Sequence, residues 1–136
     1  MDKQRKALVE FESQFGTNTT PDSPIFPSRE LLALRGRLIR EECEELLAEL
    51  TILSLCTNED ALVKQLALVA KEIADLKYVI YGTEVRLGLD GEPIFREVHK
   101  SNMKKVGGPR RSDGKLLKPD GWKAPDVEKL IRRQLK

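Results

Sequence analysis

With 136 residues, the chain has the length of one domain, near the size at which a small helical bundle gains stability from a partner subunit. Its 24 basic and 22 acidic side chains give a net charge of only +2, so bulk charge does not indicate nucleic-acid binding. Cys43 and Cys56 lack the spacing of a zinc site or a disulfide framework, and no apolar run has the length of a signal peptide or membrane span. We therefore expect residues 1–136 to form a single cytoplasmic domain with no membrane partner.

Helical spacing of apolar residues dominates the chain from its start. Residues 3–15 place apolar side chains three or four positions apart, which predicts a short amphipathic helix that ends at Gly16. Residues 16–28 are rich in proline and small polar residues, so we expect an irregular connection that is also a candidate cover for a site. Its last residue, Ser28, is placed to cap the next helix.

Two long helices follow. Apolar residues keep helical spacing over about residues 29–55 and again up to about residue 87, and Gly88 suits the position just past the second helix. Between them, residues 57–60 (Thr57, Asn58, Glu59 and Asp60) supply capping side chains, and Thr57 and Asp60 have the spacing of a capping box. The pattern predicts an antiparallel hairpin of two long helices.

The C-terminal part combines helix and loop signals. Pro93 suits the first position of a fourth helix that continues to Val106. Residues 107–124 predict a basic loop with a tight turn at Asp113–Gly114, and residues 125–136 predict a short final helix. The predicted fold is all-α, an antiparallel bundle of four to five helices.

Five acidic residues lie within the apolar pattern of the two long helices, as an E-E-x-x-E motif and an E-x-x-D motif. They are Glu41, Glu42, Glu45, Glu72 and Asp75. Residues three apart lie on one side of a helix, so each motif supplies a carboxylate pair. In an antiparallel hairpin the two pairs differ in height by about one turn, or roughly 5 Å, and are able to converge.

Carboxylates on facing helices suit Mg²⁺, which prefers oxygen ligands and leaves positions open for phosphate oxygens and water. Glu41 points about 100° away from Glu42 around the helix, so it is a candidate ligand of a further ion or a base. The alternative is that this acidic run is only a charged solvent-exposed face. The apolar residues around both motifs and their matched heights favour the metal site.

The segments REECEEL, KEIADLKYVIYGTEVRLGL and EVHKSNMKKVGGPRRSDGKLLKPDGW resemble the MazG-like all-α nucleotide pyrophosphohydrolases. The resemblance covers about residues 3–128 and is nearest to compact single-domain phage and bacterial members. It implies the MazG-like fold and hydrolysis of a nucleoside triphosphate to the monophosphate and pyrophosphate. It also implies two or three Mg²⁺ or Mn²⁺ ions per site, a homodimer or homotetramer, and, for a phage protein, the host cytoplasm.

The same resemblance assigns roles to individual residues. It places Glu42, Glu45, Glu72 and Asp75 at the metal-ligand positions, and Glu41 at the leading acid, so that Glu41 and Glu42 are the catalytic candidates. It places Asn102 and Lys105 where the family's later Asn and Lys approach the nucleotide. Short phage relatives make dGTP or dCTP the candidate substrates, with the purine favoured.

Other side chains are weaker candidates for substrate contact. Tyr78 follows Asp75 by one helical turn and is able to approach a base or ribose, although core packing is its ordinary role. His99 shares a helix face with Asn102, and Trp122 either closes over a nucleotide or anchors the tail.

Two rival functions were compared with the pyrophosphohydrolase. A ferritin-like di-iron bundle needs Glu-x-x-His pairs, whereas Arg96 stands three residues before His99. A non-enzymatic interaction module, whose basic loop binds nucleic acid or an acidic partner, explains residues 107–124 but not the paired carboxylates. We therefore expect no stable nucleic-acid binding.

Overall fold

The structure, a computed structural model, describes residues 3–15 and 20–135. The described residues contain no β-strand, and an isolated antiparallel bridge joins Arg110 to Leu116. The all-α prediction is therefore confirmed, whereas the predicted helix end at Gly16 lies outside the described residues. The helices are α1 (Lys3–Phe15), α2 (Arg29–Leu53), α3 (Glu59–Leu87), α4 (Gly91–Met103) and α5 (Val127–Gln134).

Side-chain caps set the ends of the long helices. Ser28 Oγ accepts a hydrogen bond from the Leu31 amide at 3.1 Å, which confirms the predicted cap of α2. The predicted capping within residues 57–60 is confirmed at Asn58, which adopts the extended conformation and whose Oδ1 accepts from the Ala61 amide at 2.9 Å. The Thr57–Asp60 capping box was wrong, because Asn58 is the capping residue. α2 accordingly ends at Leu53, two residues before the predicted end.

Gly88 ends α3 as predicted, with a left-handed φ of 70°. The position also has no room for a side chain, since a Cβ would lie 2.0 Å from the Ser23 carbonyl oxygen. Next to it, the Ile25 amide donates to the Leu87 carbonyl at 3.2 Å. Residues 20–28 therefore pack against the C-terminal end of α3, which is roughly 22 Å along the helix axis from Glu72.

The predicted start of α4 at Pro93 was wrong. Asp90 accepts a hydrogen bond from the Glu92 amide at 3.3 Å, so this side chain caps the helix and the first helical residue is Gly91. The helix also ends at Met103 rather than Val106. A tight turn replaces its expected last turn, because the Val106 amide donates to the carbonyl only three residues earlier, at 3.3 Å.

The loop after α4 contains the predicted turn at Asp113–Gly114. Gly114 has a φ of 86°, and the Arg111 and Lys115 backbones pair across the turn at 2.8 Å. The short helix α5 follows, with Asp126 accepting from the Lys129 amide at 3.0 Å. This segment returns to the start of α4, where Gln134 exchanges two hydrogen bonds with the Asp90 backbone.

The helices pack chiefly as α2 on α3 and α1 on α3, whereas α4 packs mainly on α5. Few apolar side chains are fully enclosed: among the described residues only Leu8, Val69 and Val85 are buried. None of the helices in these parts of the chain is long and apolar enough to cross a membrane. The α2–α3 interface, which carries the acidic motifs, is therefore the main structural unit.

Candidate metal centre and its surroundings

Polar groups, five side chains and the Val79 carbonyl, recur every seven positions along the α2–α3 interface, which corresponds to two helical turns or about 10.5 Å. They form three polar layers, named here upper, central and lower. In each layer one residue of α2 faces one of α3. The facing pairs are Arg35 with Val79 (upper), Glu42 with Glu72 (central) and Glu49 with Gln65 (lower).

The upper layer satisfies its own hydrogen bonds. The Arg35 side chain, only 8% exposed, donates from Nε to Thr83 Oγ1 at 3.0 Å and from Nη2 to the Val79 carbonyl at 2.5 Å. Gly82 leaves room for the guanidinium, because a Cβ there would lie 2.7 Å from Nη2. Burial lowers the pKa of Arg35, and the nearby Glu12 carboxylate partly opposes this shift.

The lower layer is also internally paired. The buried Gln65 side chain donates from Nε2 to the Glu49 carbonyl at 3.0 Å and to the Glu49 carboxylate. These bonds tie the two helices together near the connection between them. Neither flanking layer therefore needs a further ligand.

The central layer differs because it contains only acids. Carboxylate oxygens of Glu42, Glu45 and Glu72 all lie within 4.8 Å of one another. Glu72 is 6% exposed, and its Oε2 is buried without a hydrogen-bond partner among the described residues. An unpaired buried carboxylate oxygen is costly, so this layer is incomplete as it stands.

Helix register determines which acids meet. Glu42 and Glu72 are equally far along the chain from Thr57, so they face each other directly, and Glu45 joins them one turn away. Asp75 lies outside the group of three oxygens. Its Oδ2 is instead 2.8 Å from the Lys71 ammonium, which is also 3.0 Å from Glu72 Oε1.

The acids of the cluster influence one another electrostatically. The pKa of Glu42 is raised, first by desolvation and then by the negative charges of Glu45, Asp75 and Glu72, while the Lys71 charge acts in the opposite direction. Asp75 thus lies near enough to Glu42 to contribute to its field. The layer gathers negative charge that a cation would neutralise.

These residues fit a divalent cation. Three carboxylates supply hard oxygen ligands from one side, Asp75 stands next to them, and the orphaned Glu72 oxygen lacks the partner that a cation would provide. Glu45 is exposed, so the group opens toward solvent on one side. Such an arrangement leaves coordination positions for water and phosphate oxygens. Glu41 is exposed and lies outside the group of three.

The residues predicted to contact substrate lie in two other places. Asn102 and Lys105 are together at the C-terminal end of α4, where Lys105 Nζ donates to Asn102 Oδ1 at 2.8 Å, and His99 is exposed one turn earlier. Tyr78 lies in a groove of about 370 Å³ between α1 and α3, packed edge-on against Phe11 with ring centroids 5.5 Å apart. Desolvation in this groove raises the pKa of Tyr78.

Trp122 anchors the C-terminal loop to α4. Its indole Nε1 donates to the Ser101 carbonyl at 2.9 Å, and the ammonium groups of Lys105 and Lys118 lie 5.3 and 4.6 Å from its ring centroid. Of the two roles predicted for Trp122, the structure shows the anchor. Two cations therefore lie over the tryptophan ring, and one of them, Lys105, also contacts Asn102.

Sequence reasoning overlooked two features of this region. One is Lys71, whose spacing of four residues from Asp75 was a readable signal of an ion pair. The other is the pair of flanking layers, which the seven-residue spacing of Arg35, Glu42 and Glu49 would have revealed.

Comparison with known proteins identifies the family. A family model described as phosphoribosyl-ATP pyrophosphohydrolase matches residues 8–102, more than half of the chain, while no individual curated protein matches it. The match contains both acidic motifs but ends before Lys105 and Trp122. It confirms the MazG-like all-α superfamily and indicates an activity of the pyrophosphohydrolase type. The chain therefore belongs to the phosphoribosyl-ATP pyrophosphohydrolase family.

Proposed function

We propose that this protein is a metal-dependent hydrolase that converts a nucleoside or deoxynucleoside triphosphate to the monophosphate and pyrophosphate. The observation that carries the proposal is the central layer, in which Glu72 Oε2 is buried beside two further carboxylates and has no hydrogen-bond partner within residues 3–15 and 20–135. The flanking layers show that this helix pair is able to satisfy its polar groups internally. The central layer is the exception, and we propose it as the place where a pyrophosphate bond is hydrolysed, the type of activity that the family indicates.

Glu42, Glu45 and Glu72, with Asp75 beside them, would hold Mg²⁺ or Mn²⁺, and two to three ions per site are proposed. Bound divalent ions would neutralise the triphosphate and lower the pKa of a coordinated water. In the reaction a water oxygen bonds to phosphorus as the α–β phosphoanhydride bond breaks, and pyrophosphate leaves. We assign Glu41, exposed beside the cluster, to accept the proton that the water loses.

Substrate recognition is assigned to the groups that the structure gathers at the end of α4. Asn102 offers hydrogen bonds, Lys105 offers a positive charge, and His99 lies on the same helix. We also assign Tyr78, which lines the groove between α1 and α3, to contact the base. The proposed substrates are dGTP and dCTP, and the family's name adds phosphoribosyl-ATP to the compounds to be tested.

The size of the exposed surface supports a homo-oligomer. The chain exposes 10189 Å², whereas a compact monomer of 15.4 kDa exposes about 7,200 Å². Helical positions put one row of exposed apolar side chains on a single side of the α2–α3 hairpin, opposite Glu45 and Asp75. We propose that this row pairs with a second copy, and light scattering would measure the resulting mass. The row comprises Leu32, Leu50, Leu62, Leu66, Ile73 and Ile80.

The basic loop gives little support to the rival nucleic-acid-binding function. Arg111 pairs with Asp113, Arg110 donates to the Gly114 carbonyl at 3.0 Å, and Lys118 lies over Trp122. Several of its charges are thus engaged within the loop. We propose no stable nucleic-acid complex; strong salt-dependent binding of nucleic acid without any nucleotide hydrolysis would favour the rival.

The decisive experiment is a screen of the purified protein against all canonical NTPs and dNTPs and phosphoribosyl-ATP, with and without Mg²⁺ or Mn²⁺. We expect metal-dependent release of pyrophosphate from at least one of them. Glu42→Gln and Asp75→Asn should abolish it, because each removes a proposed ligand charge with little change of shape. Glu44→Gln is the matched control, since Glu44 lies on the same helix but is exposed and outside the cluster.

Two results would contradict the proposal. Unchanged turnover in both Glu42→Gln and Asp75→Asn would show that the acidic cluster is not the site. Release of inorganic phosphate in place of pyrophosphate would show a different reaction, even if the cluster were required.

A further inference from the structure

Within the part of the chain that the structure describes, Lys71 is the cation that pairs with the acidic cluster. Its Nζ lies 3.0 Å from Glu72 Oε1 and 2.8 Å from Asp75 Oδ2. Among the described residues, no other ion pair involves these two acids or Glu42 and Glu45. Lys71 therefore occupies the position of a counter-ion between one acid inside the group of three and the one just outside it.

The geometry of α3 makes this contact easy to form and to break. Lys71 immediately precedes Glu72, so its Cα–Cβ bond is rotated about 100° around the helix from that of Glu72. Its long side chain nevertheless reaches back to the cluster. The side chain is 59% exposed, whereas that of Glu72 is 8% exposed. The ammonium thus reaches the acids from the solvent side. A change of rotamer alone is enough to remove it.

We infer that Lys71 is an internal counter-cation of the proposed metal centre. It stabilises the acidic cluster when no divalent ion is bound, and it must move away before an ion binds Glu72 and Asp75 together. The inference rests on the proposed function, since it takes these acids as ligands. The ammonium and a divalent ion compete for the same oxygens and repel each other. Lys71 therefore weakens metal binding while it supports the folded metal-free chain.

The test is calorimetric titration of Mn²⁺, without nucleotide, into the wild-type protein and into Lys71→Met. Removing the ammonium should tighten Mn²⁺ binding about tenfold, which corresponds to about 1.4 kcal/mol. The metal-free Lys71→Met protein should melt at a lower temperature than wild type, because its carboxylates have lost their counter-charge. Saturation with Mn²⁺ should then raise its Tm by more than it raises that of wild type.

Two variants separate a local contact from a general effect of charge. Lys64→Met makes the same chemical change on the same side of α3, seven residues or about 10.5 Å earlier, where no ion pair is formed among the described residues. It should leave the Mn²⁺ affinity close to that of wild type. Lys71→Arg keeps the positive charge and should also retain the wild-type affinity.

The outcomes distinguish this inference from the proposed function. If wild type binds Mn²⁺ and Lys71→Met binds it with the same affinity as Lys64→Met, the role of Lys71 is overturned and the metal centre stands. If neither wild type nor Lys71→Met binds Mn²⁺, both are overturned. Binding by Lys71→Met but not by wild type would support the inference in its strongest form, in which the lysine keeps the ion out.

Discussion

The central polar layer and the two layers that flank it belong to the same helix pair and recur at the same interval, yet they differ in how their buried atoms are paired. In the upper layer Arg35 donates to α3, and in the lower layer Gln65 donates to α2. In the central layer Glu42 faces Glu72, and neither is a donor when ionised. The comparison teaches that buried polar groups at this interface mark the candidate metal centre only where the groups cannot satisfy one another.

On the proposed function, we expect this difference to separate stability from function along one interface. Changes in a flanking layer should lower the free energy of unfolding and leave metal binding intact. Changes in the central layer should impair metal binding and leave the free energy of unfolding nearly unchanged. Three substitutions test this division, ordered from the largest expected effect to the smallest.

Glu72→Gln should lower the rate of pyrophosphate release by at least about a hundredfold. Loss of a residue that merely orients a metal ligand already costs 10- to 100-fold, and Glu72 is proposed as a ligand itself. The free energy of unfolding of the metal-free protein should change by less than about 1 kcal/mol, because the neutral amide relieves repulsion while it loses the Lys71 contact.

Steady-state kinetics and urea denaturation would measure these two quantities, with Glu44→Gln as the control for loss of one negative charge. Normal turnover in Glu72→Gln would remove the functional distinction between the layers.

Arg35→Met should reduce the free energy of unfolding by about 2–3 kcal/mol, because it deletes charged hydrogen bonds to Thr83 and Val79 in a buried position. Mn²⁺ affinity should stay at the wild-type value, since the upper layer is about 10.5 Å from Glu42. Urea denaturation and calorimetric titration would measure both. The exposed Arg37→Met is the control and should change stability by no more than about 0.5 kcal/mol. A marked loss of Mn²⁺ affinity in Arg35→Met would show that the layers are coupled.

Gly82→Ala should destabilise the protein by about 1–2 kcal/mol, because the new Cβ would lie 2.7 Å from Arg35 Nη2. In the Arg35→Met background the sign should reverse, since the guanidinium is gone and alanine is favoured over glycine in a helix by about 1 kcal/mol. A double-mutant cycle by urea denaturation measures this coupling. Equal changes in the free energy of unfolding in both backgrounds would mean that Gly82 is not needed to make room for the Arg35 guanidinium.

Much of the fold was readable because local signals agreed with one another. The caps at Ser28 and Gly88, the turn at Gly114 and the apolar spacing of α2 and α3 all act within a few residues. The errors were local as well. The helix α4 starts at Gly91 and not at Pro93, because the Asp90 side chain caps it there and this cap outweighs the favourable backbone angle of proline.

The candidate site was only partly predictable. Spacing indicated that the two acidic motifs approach each other within about one turn, but the finer pairing depends on helix register, which a connection of a few residues leaves open. The observed register places Glu42 opposite Glu72, whereas Asp75 forms an ion pair with Lys71. Tyr78 lies against Phe11 because α1 packs on α3 there, a contact between segments far apart in the sequence.

The sequence by itself determined the elements and the candidate chemistry: helices whose faces bury apolar residues, acids placed within those faces, and motifs that lie inside the family match. These properties depend on helical period and residue type, which act over one or two turns. The tertiary structure alone decided which carboxylate oxygen is buried without a hydrogen-bond partner among the described residues, which polar layers are complete, and which cation stands beside the acids. Those properties depend on the register between α2 and α3 and on side-chain reach across the interface, and both arise only when distant segments pack together.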